Sequence, residues 1–189
     1  MAFFIMKQDT EIEGSRIVMD VPDSINPLEW IQGKPVKHPG ENLILDLSKD
    51  SGNYIGDITS GLVTIFHDEL KEALDKIEVD NIEYYPIRLR NSYTKKTEGG
   101  HWLVNIIGCY DCVDLEKSKI RRSDSDIDEN DFEILSLVID ETKTKGAKIF
   151  RLYNDPTLMI INQELKDYFD ETDMLVGVDL IQTEMYSER

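Results

Sequence analysis

Thr64-Ile65-Phe66-His67-Asp68-Glu69-Leu70-Lys71-Glu72-Ala73-Leu74-Asp75 is the segment that sets the fold. An apolar trio runs into a polar hinge and then into a short amphipathic stretch. Leu70, Leu74 and Ile77 fall on one face at helical spacing. Nearly half the chain later the same order returns as Met159-Ile160-Ile161-Asn162-Gln163-Glu164-Leu165-Lys166-Asp167-Tyr168-Phe169-Asp170, where Leu165 and Phe169 share a face. Asn162 is well suited to cap its helix, because a short amide side chain can accept a backbone N–H of the first turn. His67, at the matching place, is a poorer cap. A strand is predicted after each helix, over 82–90 and 175–185, so each segment reads as a β–α–β unit. Duplication would produce such a pair. So would convergence on a common strand-to-helix pattern, and the shortness of the pattern favours convergence.

Working outward, strands are predicted over 2–7, 15–21, 43–47, 101–108, 132–139, 147–153 and 157–161 from period-two alternation and β-branched content. Gly99-Gly100 separates 82–90 from 101–108, which are expected to pair as a hairpin. Residues 22–40 carry Pro22, Pro27, Pro35 and Pro39 together with Trp30. We expect a long ordered loop pinned by the indole. Strands outnumber helices. The expected class is α+β, with a mainly antiparallel sheet and short helices covering one face, in a single domain spanning 1–189.

The chain has 189 residues, with 38 Asp and Glu against 21 Lys and Arg, for a net charge of −17. Phosphate recognition needs a basic face, so nucleic acid is a poor partner. A basic protein is a good one, since opposite charge speeds encounter. No apolar run approaches the length of a membrane span, and the first residues lack the basic start of a signal peptide. A cytoplasmic location is the default expectation.

Chemistry finds little footing. Cys109-Tyr110-Asp111-Cys112 is a C-x-x-C, but these are the only two cysteines, and His38, His67 and His101 lack ligand spacing. Buried structural thiols are expected. Asp124-Ser125-Asp126-Ile127-Asp128-Glu129-Asn130-Asp131 opens like a calcium loop, then places Glu129 where glycine is needed and Leu135 where a closing glutamate belongs. A solvated acidic connection between two strands fits better. With a rigid sheet on either side, Asp124, Asp126, Asp128, Glu129, Asp131 and Glu133 become the candidate partner-binding set. No nucleophile elbow, phosphate loop or H-E-x-x-H is present. The expectation is a non-enzyme without metal or cofactor. The competing readings are a hydrolase using two carboxylates in a cleft, and a regulatory or structural interaction module.

The stretch 101–118 narrows these choices. Trp102 and Asn105, then Asp111, Asp114 and Ser118 around Gly108, form an "aromatic–x–x–Asn … Asp–x–x–x–Ser" pattern. Further pieces in order are Trp30-Ile31-Gln32-Gly33, Asp57, residues 62–77, Asn81 to Ile87, Ile149-Phe150-Arg151-Leu152, residues 160–169 and Gly177-Val178-Asp179-Leu180. Together they resemble the immunity protein eleven family of bacterial polymorphic toxin systems. The resemblance implies a protein that binds and neutralises a cognate toxin, and that needs no catalytic centre. His67 departs from the small capping residue expected in that family. The resemblance marks Trp30, Asn105, Asp111, Asp114, Ser118, Phe150 and Arg151 as signature positions. Short polar residues around a strand break usually bond backbone groups, so Asn105, Asp111, Asp114 and Ser118 are expected to shape the turn. Arg151, on an apolar strand, is expected to be buried against a carboxylate.

Overall fold

The computed structural model describes residues 1–121 and 132–186. In chain order its elements are β1 (Phe3–Gln8), β2 (Ile17–Asp20), α1 (Pro27–Trp30), β3 (Leu43–Leu47), β4 (Ile58–Gly61), β5 (Ile65–His67), α2 (Asp68–Lys76) and β6 (Ile82–Arg90). There follow β7 (Thr97–Ile106), β8 (Cys109–Tyr110), β9 (Lys119–Arg121), β10 (Glu133–Ser136), β11 (Ile149–Leu152), β12 (Met159–Asn162), α3 (Gln163–Thr172) and β13 (Val178–Gln182). Strands β2-β3-β6-β7-β5-β4 close into a barrel, β13-β1-β12-β11-β8 form a five-stranded sheet, and β9 pairs with β10. Among the described residues only β2–β4, β3–β6 and β8–β11 are parallel pairs. The architecture is therefore α+β and mainly antiparallel, as predicted.

Both strand–helix–strand segments fold as split units. β5 and β6 run antiparallel to β7, which lies between them. β12 and β13 run antiparallel to β1, which lies between them. Each helix thus links two strands that share a direction across a third strand supplied from elsewhere in the chain. Phe66 faces Trp102, and Ile161 faces Phe4. Lys71, 5.1 Å over the Trp102 ring, pairs with Asp75, and Lys166, 5.4 Å over the Phe4 ring, pairs with Asp170. The likeness of the two segments extends from their sequence into register and surface pairing.

Alternation along the strands sorts side chains into three packed clusters. Val18, Leu45, Leu47, Ile65, Ile87, Leu89 and Leu103 fill the barrel, and Ile25 and Trp30 join them from the 22–40 segment. A second cluster combines Phe66 and Val104 of the barrel strands, Leu70 and Leu74 of α2, Phe4 and Ile161 of the five-stranded sheet, and Leu165 and Phe169 of α3. The opposite face of that sheet buries Phe3, Ile5, Phe150 and Ile160 under Cys112, Val113, Ile134 and Leu137. The sheet is covered on both faces, which accounts for the near-continuous burial of β1.

Three departures have physical reasons. The 22–40 segment contains the one-turn helix α1, started by Asn26, whose side chain accepts from Leu28 N, and by Pro27 at its first position. Strand β7 begins at Thr97 rather than at 101. Its Gly100, at φ +80, lies opposite a register shift between Ile87 and Leu89, so glycine continues the strand through a bulge instead of breaking it. β4, ending at Gly61, was too short and mixed to be seen in the sequence, yet it closes the barrel by pairing with β2 and β5.

Candidate functional site

Most of the signature residues gather where β7 leaves the barrel and its continuation, β8, joins the five-stranded sheet. Gly108, at φ +117, makes this exit. Its N–H donates to Gly33 O at 2.8 Å, and its carbonyl accepts from Arg151 N at 2.9 Å. A Cβ on Gly33 would lie 2.5 Å from Cys109 N, so only glycine allows the 31–36 chain to lie against the seam. Trp30 is buried beside it, edge-on to Tyr85 at 5.4 Å. Asn105 is fully buried, and its Nδ2 donates to Lys34 O and to Glu83 Oε2, each at 2.8 Å. Asn81 stitches the same seam from the other side, donating to Ile107 O at 2.7 Å and Ile149 O at 2.9 Å.

Phe150 packs against Phe3 and Tyr110. Arg151 is buried at 2 % exposure, and its guanidinium donates to the carbonyls of Pro156 and Thr157 and to the Thr64 hydroxyl. These neutral oxygens replace the carboxylate partner expected from the sequence. The reason lies in the 153–157 turn, which aims its carbonyls back at the strand. Burial lowers the Arg151 pKa to about 10, with Cys109 and Asp155 opposing the shift, so the group stays cationic at neutral pH.

Asp114 and Ser118 act on backbone. Asp114 Oδ1 accepts from the Glu116 and Lys117 N–H groups at 3.2 Å, and its carbonyl accepts from Ser118 N at 2.8 Å. Ser118 Oγ accepts from Val138 N at 2.9 Å and donates to Val138 O at 3.2 Å. Asp111, by contrast, is exposed. The thiols are free, Cys109 half-buried and Cys112 fully buried. Burial pushes the Cys112 pKa up to about 12 and raises that of Cys109, opposite to what thiol exchange requires.

Beside this turn lies a shallow cleft of about 380 Å³ lined by Asp111, Asp114, Glu116, Asp140, Lys143 and Phe132. The Lys117 hydrogen bond holds the Asp114 carboxyl below its usual range, and the Thr142 hydrogen bond does the same for Asp140. Both are therefore ionised, whereas a hydrolytic acid would need a raised pKa. These two carboxylates are poorly placed to donate a proton. Of the candidate partner-binding positions, Asp124, Asp126, Asp128, Glu129 and Asp131 lie outside the described residues, as does the calcium-loop pattern. Glu133 is seen on β10, where its carboxylate pairs across the strands with Arg121, the Nε contact being 2.6 Å.

Signature residues converging on one seam point to a shared fold more than to a shared reaction centre. The sequence profile of the Imm11 immunity protein family matches residues 11–184. The chain belongs to the Imm11 immunity protein family. No curated protein matches it. For an immunity protein the useful surface is one that meets a partner, and the cleft beside the 113–118 turn is an acidic surface among the described residues. Among the described residues, no helix is long and apolar enough to cross a membrane. Asp57 and Asn81 entered the sequence reading only as parts of the family resemblance, with no structural role assigned. Nothing local flags either, because both act through strands distant in the chain.

Proposed function

We propose that this immunity protein neutralises a cognate bacterial toxin by binding it, without catalysis, in the cytoplasm. A basic toxin surface would meet the cleft of Asp111, Asp114, Glu116 and Asp140 and the acidic set Asp124, Asp126, Asp128, Glu129, Asp131 and Glu133. Family membership over residues 11–184 carries the first part of this reading. The second part rests on the cleft, where four carboxylates face one lysine, and on a net charge of −17. Affinity in such a complex comes from a few buried anchors, while charge sets encounter rate and partner choice. The test is co-expression with a toxin identified from the genes that flank this one. Survival and a stable stoichiometric complex are expected. Survival without a complex, or a complex untouched by Asp111→Asn with Glu116→Gln, would refute the reading or its docking face, respectively.

A further inference from the structure

Asp57, His67 and Glu69 each offer one ligand atom, and the three atoms lie within 4.8 Å of one another. Asp57 is the one carboxylate buried among the described residues, at 2 % exposure. It immediately precedes β4 and stands opposite His67, whose N–H donates to Asp57 O at 2.9 Å. One Asp57 oxygen accepts from Val176 N at 2.7 Å. No side-chain hydrogen bond or ion pair joins Asp57, His67 and Glu69 to each other, and the His67 side chain does not cap α2.

The second split unit shows what these positions hold when the chain satisfies them itself. Asn162 stands where His67 stands, Glu164 where Glu69 stands, and Lys148 where Asp57 stands. The same main-chain bond recurs, from Asn162 N to Lys148 O at 2.9 Å. There the Lys148 ammonium lies 2.8 Å from Glu164 Oε1, and Asn162 Oδ1 accepts from Leu165 N at 3.0 Å. A cation neutralises the glutamate, and the amide caps the helix. In the first unit an aspartate replaces the lysine and an imidazole replaces the cap. Two carboxylates approach where their counterpart has a positive charge. Behind them His101, 4 % exposed, lies edge-on to His67 at 5.3 Å. Its Nε2 has no hydrogen-bond partner, and Glu98 Oε1 is 3.9 Å away.

We propose that Asp57, His67 and Glu69 bind a divalent transition-metal ion of the zinc class. An imidazole with two carboxylates suits such an ion, whereas calcium and magnesium favour sites built from oxygen alone. Zinc–ligand bonds of about 2.0–2.2 Å require the ligand atoms to draw together, and Glu69, exposed at the start of α2, is free to swing in. Three protein ligands leave the remaining position to water. The ion ties the approach to β4 to the β5–α2 corner and supplies the charge that Lys148 supplies in the other unit.

The test uses untagged full-length protein stripped with chelator, titrated with Zn²⁺ by calorimetry and with Co²⁺ by visible absorption. Wild type is expected to bind one equivalent and to unfold at a higher temperature with Zn²⁺ present. His67→Asn copies the cap of the second unit and so should fold, while losing at least tenfold in affinity and the zinc-dependent thermal shift. His38→Ala, at an exposed histidine away from the cluster, should bind as wild type does. Absence of stoichiometric binding in wild type, or equal binding by His67→Asn, would overturn the proposal.

Discussion

At the scale of single residues, burial settles what each polar group does. Asn105 bridges the Lys34 carbonyl and the Glu83 carboxylate inside a sealed seam. Asn105→Ala would remove both bonds and leave a cavity at a fully buried position, while Glu83 keeps the Tyr85 hydroxyl as a donor, so a loss of about 1–3 kcal/mol is expected in urea unfolding. Cys112 tests the opposite property. With its pKa pushed up to about 12 and no exposed surface, it should resist a thiol reagent at pH 8 in the native state and react at once in denaturant. Two rapidly reacting thiols in the folded protein would contradict this. The carboxyls of Asp46, Asp114 and Asp140 are held below their ordinary value of 3.8. Groups with depressed folded pKa values stabilise the protein fully above the unfolded value and lose that effect as pH falls through the folded one. Stability should therefore fall with acid below about pH 4–5, and Asp114→Asn should flatten that part of the profile. An unchanged acid limb in the variant would show that Asp114 has no share in it.

At the scale of elements, the two helix starts differ where the sequence says they should. Asn162 caps α3 through its side chain, and His67 leaves α2 without a side-chain cap. Asn162→Ala should cost about 0.5–2 kcal/mol in stability, read as a lower denaturant midpoint with an unchanged slope. The 113–118 turn is a second test. The Asp114 carboxylate holds it by accepting from the Glu116 and Lys117 N–H groups, and Ser118 ties it to the Val138 backbone, so Asp114→Ala is expected to lower the melting temperature. Weakened toxin protection with no change in melting temperature would reassign Asp114 from holding the turn to touching the partner.

At the scale of the whole molecule, the barrel strands, the five-stranded sheet, α2 and α3 contribute to one buried cluster. We therefore expect the chain to behave as a single domain, with fluorescence and far-ultraviolet dichroism reporting one coincident unfolding transition. Two separated transitions would mean that the barrel and the sheet fold independently. The charge of −17 acts at this scale too. Toxin association should slow between low salt and physiological salt, where the Debye length falls to about 8 Å. Changing Asp124, Asp126, Asp128, Glu129, Asp131 and Glu133 to their amides should reduce the on-rate more than it raises the off-rate. Equal on-rates for the two proteins at low salt would remove this segment from encounter. Glu133 should contribute little, because Arg121 already neutralises it.

The sequence by itself determined what is local: both strand–helix segments, the capping difference between Asn162 and His67, the hairpin of β6 and β7, the α+β class, and the scattered motifs that mark the family. Each follows from spacing, propensity or turn chemistry within a few residues. Apart from that hairpin, only the tertiary structure decided which strands are neighbours. Alternation tells which side of a strand is buried but not against what, so the closed barrel and the separate five-stranded sheet could not be told apart. The same limit hid the strand inserted into each split unit, β7 from later in the chain and β1 from its start. It also hid the neutral partners of Arg151, which a turn just beyond β11 and the distant Thr64 hydroxyl supply. Asp57 meets His67 only because β4 pairs with β5, and Lys148 meets Asn162 only because β11 pairs with β12. The one sequence signal for that corner was an imidazole at a capping position, and its meaning depends on a carboxylate that pairing between strands brings to it.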